Sequence, residues 1–189
     1  MHRIAIFASG AGSNARVIID YFRHIDSVQI SLVVCNKPGA GVIEIAEKEN
    51  IPVILLEREK FFRGNHYLDE LTRARITFIV LAGFLWKMPK ELTSSYQGKI
   101  INIHPALLPA YGGKGMYGSF VHEAVINAKE KVSGISIHFV DEEYDHGNLI
   151  FQASCSIDEG ETASSLARKI QELEHYHYPR VLEEVLREG

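Results

Sequence analysis

The run Ile76-Thr77-Phe78-Ile79-Val80-Leu81-Ala82 is apolar at nearly every position and shows no alternation between an inward and an outward face. A short segment of this kind reads as a strand covered on both sides, which calls for helices on each face of a sheet and hence a layered α/β fold. The chain before it alternates as that fold requires. Residues 3–8 read as a buried strand, 13–21 as a helix, 28–35 as a second strand, 42–49 as a short helix, 51–56 as a third strand and 65–73 as a helix. Asn36-Lys37-Pro38-Gly39 supplies a chain break between two of these elements. The pattern to this point is that of a mostly parallel, Rossmann-like sheet.

The second half changes character. Residues 99–103 form another expected strand, and a connection rich in Pro and Gly follows over 105–118 before a helix at 120–127. Two strands at 134–140 and 149–156 flank an acidic turn, a spacing that suits a hairpin and adds antiparallel strands to the parallel sheet. The last helix is expected over 161–175, with Leu166, Ile170 and Leu173 at helical spacing and Asp158 and Glu161 as a capping box. Pro179 is expected to interrupt the C-terminal region, leaving a short terminal helix over 180–186. No repeat or polar linker divides the chain, so a single domain over residues 1–189 is expected.

A net charge of −4 with scattered cations gives no nucleic-acid groove and no membrane-binding face. The N-terminus leads directly into structure and no long apolar segment is present, which points to a cytoplasmic protein. Cys35 and Cys155 lie in apolar runs without metal-ligand spacing and are expected to be buried free thiols. His175 and His177 alternate near a helix end without completing a ligand set, so no metal site is expected. No self-complementary face can be read from the pattern, and the oligomeric state stays open.

Two segments can carry chemistry. Ser9-Gly10-Ala11-Gly12-Ser13-Asn14 joins the first strand to the first helix, where helix-terminal N–H groups with Gly12, Ser13 and Asn14 can cradle an anion such as a phosphate monoester. It lacks the Gly-Lys-Ser/Thr ending of a P-loop and the strict Gly-x-Gly-x-x-Gly of a dinucleotide loop, which disfavours nicotinamide. A tight connection with a Ser or Asn cap is the alternative. Farther on, Asn102 and His104 lie at the carboxyl end of a strand, the edge where open sheets bind ligands, and Asp145 lies in the acidic turn. An amide, an imidazole and a carboxylate can together stabilise an oxyanion and move a proton, which suits acyl transfer. The same residues can equally cap a turn, bond a carbonyl beside Pro105 and stabilise the turn at Gly147.

Ala8-Ser9-Gly10-Ala11-Gly12-Ser13-Asn14, Leu81-Ala82-Gly83-Phe84, Asn102-Ile103-His104-Pro105-Ala106-Leu107-Leu108-Pro109, Gly134-Ile135-Ser136-Ile137-His138-Phe139-Val140 and Asp145 together resemble the phosphoribosylglycinamide formyltransferases of the folate-dependent formyltransferase family. The resemblance spans nearly the whole chain and implies a single-domain Rossmann-like formyltransferase fold. It implies transfer of a formyl group from 10-formyltetrahydrofolate, a consumed cosubstrate, to the amine of glycinamide ribonucleotide in purine (IMP) biosynthesis. By the same resemblance Asn102, protonated His104 and Asp145 are catalytic, and Gly12, Ser13 and Asn14 hold the substrate phosphate. Glu174 faces the substrate amine, and Leu85, Trp86, Lys87, Met88, Val140, Asp141 and Asp145 border the folate. The phosphate loop belongs to the N-terminal half, and the folate and catalytic groups to the C-terminal half.

The chain departs from the family pattern at two places. Trp86 replaces an arginine often present there, and Tyr111-Gly112-Gly113-Lys114-Gly115-Met116-Tyr117-Gly118 is several residues longer than the usual connection. His122 is expected to be a solvated helical histidine, and His138 a framework residue. Formylation of another amine, or a non-catalytic folate- or phosphate-binding protein, are the alternative functions. Methionyl-tRNA formylation and formyltetrahydrofolate hydrolysis usually require an additional domain for which this chain has no room.

Overall fold

The computed structural model describes residues 1–188. Seven strands, β1 His2–Ala8, β2 Val28–Cys35, β3 Val53–Leu55, β4 Phe78–Leu81, β5 Ile100–His104, β6 Val132–Phe139 and β7 Leu149–Ser156, follow the order β3-β2-β1-β4-β5-β6-β7. The helices are α1 Ser13–Phe22, α2 Gly41–Lys48, α3 Arg58–Phe62, α4 His66–Arg73, α5 Lys90–Ser95, α6 Ser119–Asn127 and α7 Ala163–Glu188. The chain divides into two compact units, residues 1–101 and the remainder from Asn102, with the border inside β5.

In the first unit β1 pairs in parallel with β2 on one side and β4 on the other, and β2 pairs in parallel with β3. Strand β1 is therefore internal, and Ile4, Ala5, Ile6, Phe7 and Ala8 are each essentially inaccessible to solvent. This order is that of doubly wound nucleotide-binding sheets, whose ligands sit at the carboxyl ends of strands where the connections diverge. Here those ends belong to β1 and β4. Ser9 joins them, donating its N–H to Gly83 O at 3.1 Å and accepting Leu85 N–H on its Oγ at 2.9 Å.

In the second unit β6 and β7 form the expected antiparallel pair. One face of β6 holds β5 and the segment after it through three alternating positions. A Cβ at Gly134 would lie 2.7 Å from Leu107 Cδ2 and 2.0 Å from Ala153 O, so only glycine permits this approach. Ser136 donates to Ala106 O at 2.6 Å and accepts Leu108 N–H at 2.9 Å. His138, two residues on, reaches Asn102. The Leu108–Pro109 peptide in the held segment is cis.

Several expectations need correction. Pro179 does not interrupt the C-terminal region, because α7 runs unbroken from Ala163 to Glu188 with the proline inside it. Pro179 is buried beside Tyr178, Val181 and Leu182, so apolar burial offsets the lost N–H donor. The Arg180 guanidinium bonds Tyr176 O and lies 4.0 Å over the Tyr176 ring. The α7 cap is also displaced. Glu161 does accept Asp158 N–H at 3.0 Å, but the reciprocal pair at the helix start is Thr162 and Ser165, with Ser165 N–H on Thr162 Oγ1 at 3.1 Å and Thr162 N–H on Ser165 Oγ at 3.0 Å. Cys35 is buried, whereas Cys155 is only half-buried; both are free thiols. Among the described residues no helix is long and apolar enough to cross a membrane, and no group of three or more His, Cys, Asp or Glu residues could hold a metal ion.

Candidate functional site

Strand β5 carries Asn102 and His104 on one face, since they are two residues apart in an extended segment. Asp145 arrives from the β6–β7 connection. Its backbone adopts φ +52, a left-handed conformation that aspartate tolerates better than most residues. The turn around it is built locally. Asp141 accepts Glu143 N–H on Oδ1 at 2.7 Å and pairs through Oδ2 with His146 Nδ1 at 2.8 Å. Gly147 lies so close to Phe139 O that a Cβ would sit 1.9 Å from it. The carboxylate is thereby aimed at β5.

The three sequence-selected residues meet in one cluster, His104 buried and Asn102 and Asp145 half-buried. Asn102 Nδ2 lies 3.4 Å from Asp145 Oδ1, and His104 Nδ1 lies 3.5 Å from Asp145 Oδ2. The Gly-rich connection supplies two backbone groups: Gly113 N–H donates to Asp145 Oδ2 at 2.9 Å, and Tyr111 O accepts from His104 Nε2 at 2.7 Å. Gly112 between them is required for close packing, because a Cβ there would lie 2.5 Å from Leu108 Cδ2 and 3.4 Å from Asp145 Cβ. Tyr111 is itself anchored, its hydroxyl donating to Glu130 at 2.7 Å. His138 closes the cluster, with Nε2 at 3.2 Å from Asn102 Nδ2 and 3.6 Å from Asp145 Oδ1.

Burial lowers the His104 pKa below its ordinary value, although the Asp145 charge and the Tyr111 carbonyl pull the other way. Burial also opposes the charge on Asp145, but its polar surroundings, the Gly113 N–H among them, outweigh it, and its carboxyl titrates below the usual range. The pair is thus a carboxylate beside an imidazole whose charged form burial disfavours. With Nε2–H committed to Tyr111 O, the Nδ1 lone pair faces the carboxylate. Two acceptors facing each other form a receptor for one proton, which would bind as Nδ1–H between them.

His122 is buried rather than solvated, and its Nδ1 has no hydrogen-bond partner. Burial, then the nearby His104, lowers its pKa. His104 and His122 therefore share a sign: each contributes full stability above the ordinary value of 6.5, and that contribution is lost as pH falls through the folded-state values. His146, exposed and paired with Asp141, shifts upward and acts the opposite way, but solvent screens it. Tm is expected to fall on acidification from about pH 7 to about pH 5.5, and to fall less in His122→Leu. An identical acid-side slope in the two proteins would rule out His122 as a contributor.

The remaining expected site residues lie as follows. Gly12 is the N-cap of α1, at φ 79, and as a glycine it offers no side chain to cap this end. Ser13 and Asn14 are the first residues of α1. Leu85 is exposed and Met88 buried. Trp86 packs 5.6 Å from both Phe61 and Phe62, with the Arg58 guanidinium 5.8 Å from its ring, so it belongs to an aromatic cluster in the first unit. Lys87 is exposed, Val140 and Asp141 are half-buried after β6, and Glu174 is half-buried on α7 one turn before the fully buried Tyr178. Sequence reasoning missed Tyr111, Gly113 and the direct part played by His138. The alternation Gly134, Ser136, His138 on one strand face was the available signal for the last.

A family model described as formyl transferase matches residues 2–182. The chain is similar to the chloroplastic phosphoribosylglycinamide formyltransferase of Arabidopsis thaliana, at 38% identity over 187 residues, covering 95% of this chain and 64% of that relative. The chain thus spans less than two thirds of the plant relative's length. It is 37% identical over 191 residues to the phosphoribosylglycinamide formyltransferase of Bacillus subtilis (strain 168), covering 98% of this chain and 95% of that one. The crystal structure of phosphoribosylglycinamide formyltransferase from Bacillus halodurans superposes with a TM-score of 0.88 at 39% identity, covering 97% of this chain and 95% of that one. The family match leaves only the first residue and the last few outside it, and the chain belongs to the formyl transferase family.

Proposed function

We propose that this chain is a phosphoribosylglycinamide formyltransferase, moving the formyl group of 10-formyltetrahydrofolate to the primary amine of glycinamide ribonucleotide in purine biosynthesis. The observation that carries the reading is the contact of Asn102, His104 and Asp145, an amide donor beside a paired proton acceptor. In the proposed reaction the amine nitrogen attacks the formyl carbon, and the carbonyl electron pair moves onto oxygen. Asn102 donates to that oxyanion. The amine proton passes to the His104–Asp145 pair, directly or through a water, and the oxyanion collapses with cleavage of the bond to folate N10. N10 takes up the proton, so the pair is returned to its starting state.

The ribonucleotide phosphate is held at Gly12, Ser13 and Asn14, where the start of α1 offers N–H groups and a favourable dipole. The folate is bordered by Leu85, Trp86, Lys87 and Met88 and by Val140 and Asp141, and Glu174 faces the amine. The test is formyl transfer followed spectroscopically and by product mass, with a no-acceptor control. Transfer that needs both substrates supports the reading. Hydrolysis without acceptor, or equal use of phosphorylated and unphosphorylated amines, overturns it.

A further inference from the structure

The Asn102 amide has a neighbour that the reaction scheme leaves unused. His138 is buried to 2% exposure, and its Nδ1 lies 2.8 Å from Phe139 O. A carbonyl only accepts, so Nδ1 carries the hydrogen; Nε2, 3.2 Å from the Asn102 amide nitrogen and at 3.6 Å beyond hydrogen-bond reach of Asp145, presents a lone pair to the amide. The Asp145 carboxylate independently fixes the amide at Asn102: an oxygen turned toward Asp145 Oδ1 at 3.4 Å would set two acceptors against each other, so the NH₂ group faces inward. Its hydrogens then have two separate acceptors, His138 Nε2 at 3.2 Å and Asp145 Oδ1 at 3.4 Å.

These two bonds are not equivalent in the proposed reaction, on which the following step rests. The bond to Asp145 is the longer, and it weakens further when the His104–Asp145 pair takes up a proton. The bond to His138 is unaffected by that event. We propose that His138 is a positioning residue that anchors one Asn102 N–H through its bare Nε2, leaving the other free to switch from Asp145 to the formyl oxygen as negative charge develops there. Proton uptake and oxyanion stabilisation are thereby coupled through a single amide.

Removing the acceptor should misplace the amide without altering substrate binding. His138→Leu is expected to lower kcat by about tenfold to 10²-fold, with KM for both substrates near the parent values. His138→Gln, whose side-chain carbonyl can accept near the Nε2 position, is expected to restore most of the loss. In an Asn102→Ala background, His138→Leu should cost little more, because an anchor has no effect once the anchored group is gone. Equal losses in His138→Leu and His138→Gln, or a loss that adds fully to that of Asn102→Ala, would overturn the proposal. A two-bond ¹H–¹⁵N spectrum of the imidazoles of the full chain tests the anchor apart from turnover. It should show His138 Nε2 as the bare nitrogen, and a protonated Nε2 would sink the idea. If the parent protein transfers no formyl group, the functional reading fails, while the spectrum still decides the anchor.

Discussion

Replacing Asp145 with asparagine is expected to lower kcat by about 10²-fold to 10⁴-fold, the range for loss of a positioned proton-transfer group, while KM for both substrates stays near the parent values. The carboxylate accepts Gly113 N–H on one oxygen and faces Asn102 with the other. An amide cannot satisfy both. If its oxygen stays with Gly113, its NH₂ meets the Asn102 NH₂, and if it turns to Asn102, its NH₂ meets the Gly113 N–H. Either orientation sets two donors against each other, with a modest fall in Tm. The larger effect is on protonation. The Asp145 charge is what raises the His104 pKa against burial, so its loss leaves the buried imidazole still less able to hold a proton. Steady-state kinetics and thermal unfolding on the same preparation separate the two effects. An unchanged kcat would remove Asp145 from the mechanism, and a collapse of Tm matching the loss of activity would assign it to the scaffold.

How far this cluster could be read from the sequence depends on which contacts are local. Asn102 and His104 share a strand face by simple alternation, and the apolar runs at 4–8 and 78–82 fix buried parallel strands close to those observed. Tyr111 and Gly113 could not be located in the same way. Their contacts are backbone groups reaching His104 and Asp145, and a backbone N–H or carbonyl leaves no signature in residue type. A lone histidine in a short helix reads as solvated until the helix is packed, and the orphaned Nδ1 of His122 is a property of that packing. Pro179 shows the same limit from the other side. Its local propensity ends a helix, but burial among Tyr178, Val181 and Leu182 keeps it within one. The short helices α3 and α5 went unseen for want of length, since five or six residues cannot display a helical period.

The anion loop offers the second large effect. Gly12→Ala is expected to raise KM for the ribonucleotide on the order of 10²-fold, and to destabilise the protein. Two costs combine at this position. Its φ of 79 lies in the left-handed region, where an L side chain costs about 1–2 kcal/mol. The added Cβ would also lie 2.8 Å from Val42 Cα and Cβ and 3.0 Å from Ile45 Cδ1. Backbone of α2 cannot yield as a side-chain tip can, and such overpacking costs about 1–3 kcal/mol. Moving the loop to relieve the contact turns the first N–H groups of α1 away from the direction in which they present a donor cradle, so strain and lost affinity share one cause. Gly10→Ala is the internal control, since its Cβ would meet nothing within 4 Å and its φ is not positive. Its Tm should reflect a change within about 0.5 kcal/mol. A Gly12→Ala protein that binds phosphorylated and unphosphorylated amines as the parent does would remove the loop from substrate recognition. Loss of affinity confined to the phosphorylated amine would tie recognition to the turn at Gly12.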